Sequence, residues 1–324
     1  MRASLKTALA GVTSTLLLAL LLFGRATPAN AGAARSRLWQ SKEVGRGTTA
    51  LPATVIFRES GGRGLLVKTW VNGAGPFNFA LDTGAGATLL SSRAAGEARV
   101  EVEAGGRGVV IGGLSGAQAG GAQKAFVRTL ALGSRENTLP TRGLFVVAPG
   151  LPEGVDGVLD PSEAFYPLGF SIDIPAGELS FFDPRTQPLR MGAAPRAGVV
   201  VPWLTEGGTR RPFVMLAEGR RALLDTGSGF GLAVDESAAR TLGILQTEGR
   251  GRGARDLAGG EVHARRVRAA TVSIGALVLR GVPTDLLVRA EKGAPVILGR
   301  DALRPFRMTF DPLTRLIMLD PREE

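Results

Sequence analysis

The apolar residues of this chain come in short runs broken by glycine, proline and charged positions, a spacing that predicts strands and turns. Thr54 to Phe57 reads as a first strand. Leu65 to Val71 and Pro76 to Leu81 flank Asn72-Gly73, and an Asn-Gly pair between apolar arms favours a tight type I′ hairpin turn. Val109 to Ile111, Lys124 to Leu132 and Gly143 to Val147 add strands. Val155 to Asp160 leads into a short helical or turn segment, and Phe170 to Ile174 with Glu178 to Phe182 form a closing hairpin.

The same order then recurs. Val199 to Val201 and Pro212 to Leu216 precede a second apolar run, Ala222 to Leu224. Asp235 to Leu242 reads as a short helix with Asp235 as its N-cap. Ala269 to Ile274 and Thr284 to Val288 lead to Val296 to Asp301, and Phe306 to Pro312 with Arg315 to Leu319 close the second half. Such a repeat indicates an internal duplication or two related domains in tandem.

At matching places the two halves carry Leu81-Asp82-Thr83-Gly84-Ala85 and Leu224-Asp225-Thr226-Gly227-Ser228. One Asp-Thr-Gly triplet reads equally well as an ordinary β-turn. Two copies in matching surroundings predict that Asp82 and Asp225 face each other as one catalytic pair. Two close carboxylates cannot both ionise cheaply, so they share a proton. The ionised partner can then activate a water while the protonated one donates to a carbonyl oxygen. Ser228 follows the second triplet where Ala85 follows the first. A hydroxyl donated toward Asp225 would favour its charged form, leaving the proton on Asp82.

Composition narrows the chemistry. The 324 residues suit two domains, and 46 glycines with 19 prolines favour a largely β architecture. With no cysteine there is no disulfide and no thiolate nucleophile. The single histidine, His263, lies in a charged stretch and reads as a solvated position. No metal or cofactor is expected, and no phosphate-binding loop is present. The net charge of +10 comes with arginine clusters such as Arg265-Arg266-Val267-Arg268. Without aromatic interleaving or a helix-turn-helix pattern, nucleic acid is not an expected partner.

Residues 1–31 carry Arg2 and Lys6, a leucine-rich core and Ala29-Asn30-Ala31, the layout of a removable export signal. The uncharged run from Thr7 to Gly24 only just reaches membrane-spanning length, so a tether requires that the signal stay uncleaved. The expected division is a flexible leader over 32–50, a first lobe over 51–184, a linker over 185–197 and a second lobe over 198–324.

Asp82-Thr83-Gly84-Ala85, together with Ile297-Leu298-Gly299-Arg300-Asp301 in the second half, resembles the signatures of the retropepsin-like aspartic proteases. The resemblance spans roughly residues 55 to 320. It implies an all-β fold of two acid-protease β-barrel lobes, joined in one chain as a pepsin-like pseudo-dimer and acting as a monomer. It also implies an endopeptidase whose partner is a peptide or protein substrate, and the export signal makes it periplasmic or secreted. Asp82 and Asp225 would be the dyad. Thr83 and Thr226 would cross-bond the two loops, Gly84 and Gly227 would admit substrate backbone, and Ser228 would support its loop. Gly299, Arg300 and Asp301 would be structural, with Arg300 at a helix start. The segments around Gly112 to Gly121 and Arg250 to Gly260 would be flaps.

Two departures stand out. Asp160 replaces a family glycine and is expected to alter packing beneath the first loop, and the only tyrosine, Tyr166, is far from either flap. The competing readings are a catalytically silent relative that binds peptides or a partner in its cleft, and an envelope protein whose basic surface binds anionic lipid or polysaccharide.

Overall fold

The computed structural model describes residues 50–104, 108–140, 144–244, 249–288, 290 and 294–322. The expected signal and all but the last residue of the leader lie outside the described residues. The chain is an all-β, two-lobed fold carrying four short helices among the described residues.

The first lobe is an 11-stranded sheet and the second a 7-stranded one. In the first, strand Gly64–Val71 turns through Asn72 and Gly73, both at positive φ (49° and 79°), into strand Ala74–Leu81. Only the left-handed region at both turn positions matches the twist of the paired strands, which is why Asn-Gly is found there. Strand Gly157–Leu159 then runs parallel to the arm that ends at Leu81, so that Leu159 pairs with Leu81. The second lobe repeats this register. Strand Arg221–Asp225 runs beside Val296–Gly299, with Leu298 opposite Leu224.

A 6-stranded sheet joins the lobes. The closing hairpins of the two halves pair with each other, Phe170 opposite Phe310, and those rings stack 4.7 Å apart. Trp203 packs edge-on against Phe310, and Phe165 against Phe170. One apolar core therefore runs from lobe to lobe, and burial of such rings is the main force holding the halves together.

Some elements differ from the expectation. The run from Lys124 to Leu132 breaks into strands Gln118–Phe126 and Leu130–Leu132, because the Asn72 side-chain oxygen accepts from the N–H groups of Arg128 and Thr129 and turns the chain. The expected strands at 269–274 and 284–288 belong to one long hairpin, Glu261–Ile274 with Leu277–Val288. Its extra length is charged on one side, which hid it from an apolar count. Arg266 forms a forked pair with the buried Asp285 across that hairpin, at 2.9 Å to each oxygen, so part of the basic cluster is paired inside the protein. The helix Glu236–Thr241 is capped by Asp235, whose carboxylate accepts from Ala238 N–H at 2.6 Å.

Candidate active site

The two Asp-Thr-Gly loops meet at the centre of the molecule. Thr83 Oγ1 donates to Leu224 O at 2.6 Å, and Thr226 Oγ1 donates to Leu81 O at 3.0 Å. Each threonine oxygen also accepts from the other threonine's N–H, at 3.1 Å in both directions. The four bonds are buried and link one lobe's loop to the other's, so neither loop can shift alone.

This brace puts each carboxyl group against the glycine of the opposite triplet. A Cβ at Gly84 would lie 2.8 Å from Asp225 Cγ, and one at Gly227 would lie 2.3 Å from Asp82 Cγ. Any side chain there would displace an acid, so glycine is required by close approach. Asp82 and Asp225 are fully buried and lie close enough that each acts on the other's titration. Their Oδ2 atoms are buried and meet no donor. Gly84 N–H donates to Asp82 at 2.8 Å, and Ser228 N–H donates to Asp225 at 2.9 Å.

Burial raises the pKa of both acids. That of Asp225 rises well above the usual carboxylate range because the negative charge of Asp82 adds to burial. The Ser228 hydroxyl does not supply the bond expected to favour a charged Asp225. The reason is geometric. The Ser228 hydroxyl accepts from Phe230 N–H at 3.3 Å, and only the Ser228 backbone reaches Asp225.

Arg300 opens the helix Arg300–Leu303 and is buried. Its Nη1 donates to Thr226 O and Gly227 O, both at 2.9 Å, and its Nε lies 3.5 Å from Glu59 of the first lobe. Gly299 leaves room for this loop, since a Cβ there would sit 2.4 Å from Phe230 O. Asp301 N–H donates to Phe230 O at 3.2 Å, and its carboxylate lies 3.6 Å from Arg304. Beneath the first loop the arrangement differs. Asp160 is fully buried, caps the helix Pro161–Ala164, and accepts from the Ser162 N–H and hydroxyl at 2.9 and 2.5 Å. Its other oxygen has no partner, and burial pushes its pKa up to about 8.

Two hairpin tips meet across the lobe boundary. Ser115, at the tip between strands Val109–Gly112 and Gln118–Phe126, donates its N–H and hydroxyl to Asp256 at 2.9 and 2.6 Å. Asp256 sits at the opposing tip, between Gly251–Arg255 and Glu261–Ile274. The tips exchange leucines. Leu114 is buried among second-lobe residues that include Phe230 and Val262, and Leu257 among first-lobe residues that include Ala85 and Ile111.

An aspartyl protease family model matches residues 67–159 and again residues 218–302. The chain belongs to the aspartyl protease family. The two matches fall on the two halves, and each contains one Asp-Thr-Gly loop. No curated protein sequence matches the chain.

Outside this aspartyl protease centre, His263 is exposed on its strand, 3.9 Å from Glu261, and Tyr166 lies under the Arg210 guanidinium, 4.1 Å from its centroid. Among the described residues no three acidic or histidine side chains converge as a metal-binding group. Sequence reasoning passed over Glu59, Asp256 and Arg211. Each acts across the lobe boundary, and only an alignment of the two halves by hairpin register could have drawn attention to the last.

Proposed function

We propose that the protein is an exported aspartic endopeptidase that hydrolyses peptide bonds at an Asp82/Asp225 dyad. The observation that carries this reading is the reciprocal threonine brace around two buried, neighbouring carboxyls. In this mechanism Asp82 is the ionised partner and takes a proton from a water that attacks the scissile carbonyl. Asp225 donates its proton to the carbonyl oxygen as negative charge develops there. The two roles then exchange as the tetrahedral intermediate collapses and the amine leaves with a proton. The flap tips exclude bulk solvent, which strengthens each electrostatic interaction inside the cleft.

Export rests on the first 31 residues, whose basic start, apolar core and small residues before Ala31 suit a cleaved signal. Periplasm or extracellular space would then be its location, and a monomer its working form, since both loops come from one chain. Fractionation with sequencing of the mature N-terminus tests this. Retention in the cytoplasm with Met1 intact would reject it.

The activity test compares the purified protein with Asp82→Asn and Asp225→Asn on an unfolded protein substrate, between about pH 3 and pH 8. The parent should cut, and both folded variants should lose at least about a hundredfold in rate. A folded parent that neither cuts nor binds a statine-type transition-state mimic would reject the enzyme. A cleft that binds peptide without cutting would replace it. The buried Asp160 beneath the first loop is the observation favouring that second reading.

A further inference from the structure

The two lobes can be superposed by register. In the first, Leu66 pairs with Ala80 and Leu159 with Leu81; in the second, Phe213 pairs with Leu223 and Leu298 with Leu224. With Asp82 matched to Asp225, Pro161 falls at the place of Arg300, Asp160 at Gly299 and Gly64 at Arg211.

The second loop has an arginine from its own lobe. Arg300 binds the carbonyls of Thr226 and Gly227, faces Glu59, and runs past Gly64, where a Cβ would lie 3.5 Å from its Nη1. The first loop has none, because Pro161 carries no cation. Arg211 reaches it from the other lobe. This side chain is 6% exposed and lies along Gly86 of the first loop, its Cδ 3.5 Å from where a Cβ would stand. Its Nε donates to Thr209 Oγ1 at 3.2 Å, and it faces the charges of Glu206, Asp160, Asp225 and Asp82. Glycine occurs at position 64, at a φ of 89° beside Arg300, and arginine at 211, where proline has removed the counterpart of Arg300.

We propose that Arg211 is the positioning residue of the first active-site loop, supplying from the second lobe the cation that Pro161 omits from the first. It holds the loop at Gly86 and keeps a positive charge beside Asp82. An arginine stays charged at any pH at which the enzyme works, so this support does not titrate away. Its field favours the ionised form of Asp82. The inference rests on the dyad reading for its effect on rate, though not for its effect on the acids' titration.

The full chain, Arg211→Met and Arg211→Lys provide the test, with cleavage followed against pH and the buried carboxyls titrated by carbon NMR. Removing a cation raises the pKa of nearby carboxylates. The acid limb of the Met variant should therefore move up by about one pH unit, with kcat down about tenfold and KM little changed. The Lys variant should restore the position of the limb while recovering only part of kcat, because an ammonium cannot reproduce the planar fork. A folded Met variant with the parent's acid limb overturns the proposal, even when it is less stable, since packing alone would leave the limb in place. If the Met variant does not fold, Arg211→Gln carries the same comparison. If the parent does not cleave, the dyad reading fails. An upward shift of the Asp82 titration in the variant would still support Arg211, and an unchanged titration would overturn it.

Discussion

Ser115 of the first lobe's flap donates two hydrogen bonds to a single oxygen of Asp256 on the second lobe's flap. The other Asp256 oxygen accepts from Gly260 N–H at 2.9 Å, so the carboxylate is held by its own turn and offered to the opposing tip. Glycine at 113 and at 260 makes the approach feasible, since a Cβ at either would stand 2.0 Å from an oxygen of the partner tip. The latch is asymmetric, as it must be in a single chain whose two flaps differ in sequence.

Breaking that latch should loosen the flaps while leaving the core intact. Asp256→Ala removes the acceptor, and the amides of Leu114 to Ala117 should then exchange with solvent at least about tenfold faster, since local opening has its own free energy, below that of global unfolding. Hydrogen exchange measured by mass spectrometry reports this. Unchanged protection at the tip would show that the buried leucines alone hold it.

The threonine brace makes a different prediction. Thr83→Val and Thr226→Val each keep side-chain shape but leave a buried carbonyl and a buried N–H without partners. Each should cost about 1–3 kcal/mol. The double variant should cost less than the sum, because the four bonds form one network. Denaturant unfolding of the three variants checks it, and strict additivity would argue against a shared network.

Asp160 should make stability depend on pH in an unusual direction. Its folded pKa, about 8, lies above the roughly 3.9 of an unfolded aspartate. The folded state therefore holds the proton more tightly, and stability falls as pH rises between those values. Asp160→Asn resembles the protonated form and can still accept from Ser162. The variant should match the parent near pH 4 and exceed it near pH 9, by up to a few kcal/mol at about 1.4 kcal/mol per pKa unit. Thermal melts at the two pH values decide it. A variant less stable than the parent near pH 9 would mean that the ionised carboxylate is the stabilising form.

Glu59 ties the first lobe to Arg300 and Arg304 of the second. Burial would raise its pKa, but Arg304 and then Arg300 outweigh that and hold it below the usual glutamate value. A depressed folded pKa adds stability above the unfolded pKa, and that stability is lost as pH falls through the folded value. Glu59→Gln should lower stability near neutral pH by about 1 kcal/mol or less, the pair being partly exposed. The difference should fade below about pH 4. A difference as large at acid pH as at neutral pH would mean that packing carries the effect.

Much of this molecule was legible in local sequence. The β class followed from short apolar runs and frequent glycine. Asn72-Gly73 specified its turn, because both residues tolerate positive φ. Asp235 announced its helix because an acid before a short amphipathic run caps the first N–H groups. The duplicated Asp-Thr-Gly triplet marked Asp82 and Asp225 because the two copies share their surroundings. These features depend on neighbours along the chain, which the sequence states directly. The tertiary structure alone decided which residues meet across the lobes: Thr83 with Leu224, Ser115 with Asp256, Glu59 with Arg300, and Arg211 with Gly86. It also turned the Ser228 hydroxyl to accept from Phe230 N–H, leaving only its backbone on Asp225. Such contacts join residues far apart in the chain and leave no periodic trace, so nothing near either partner encodes them until both lobes have folded and packed around one core.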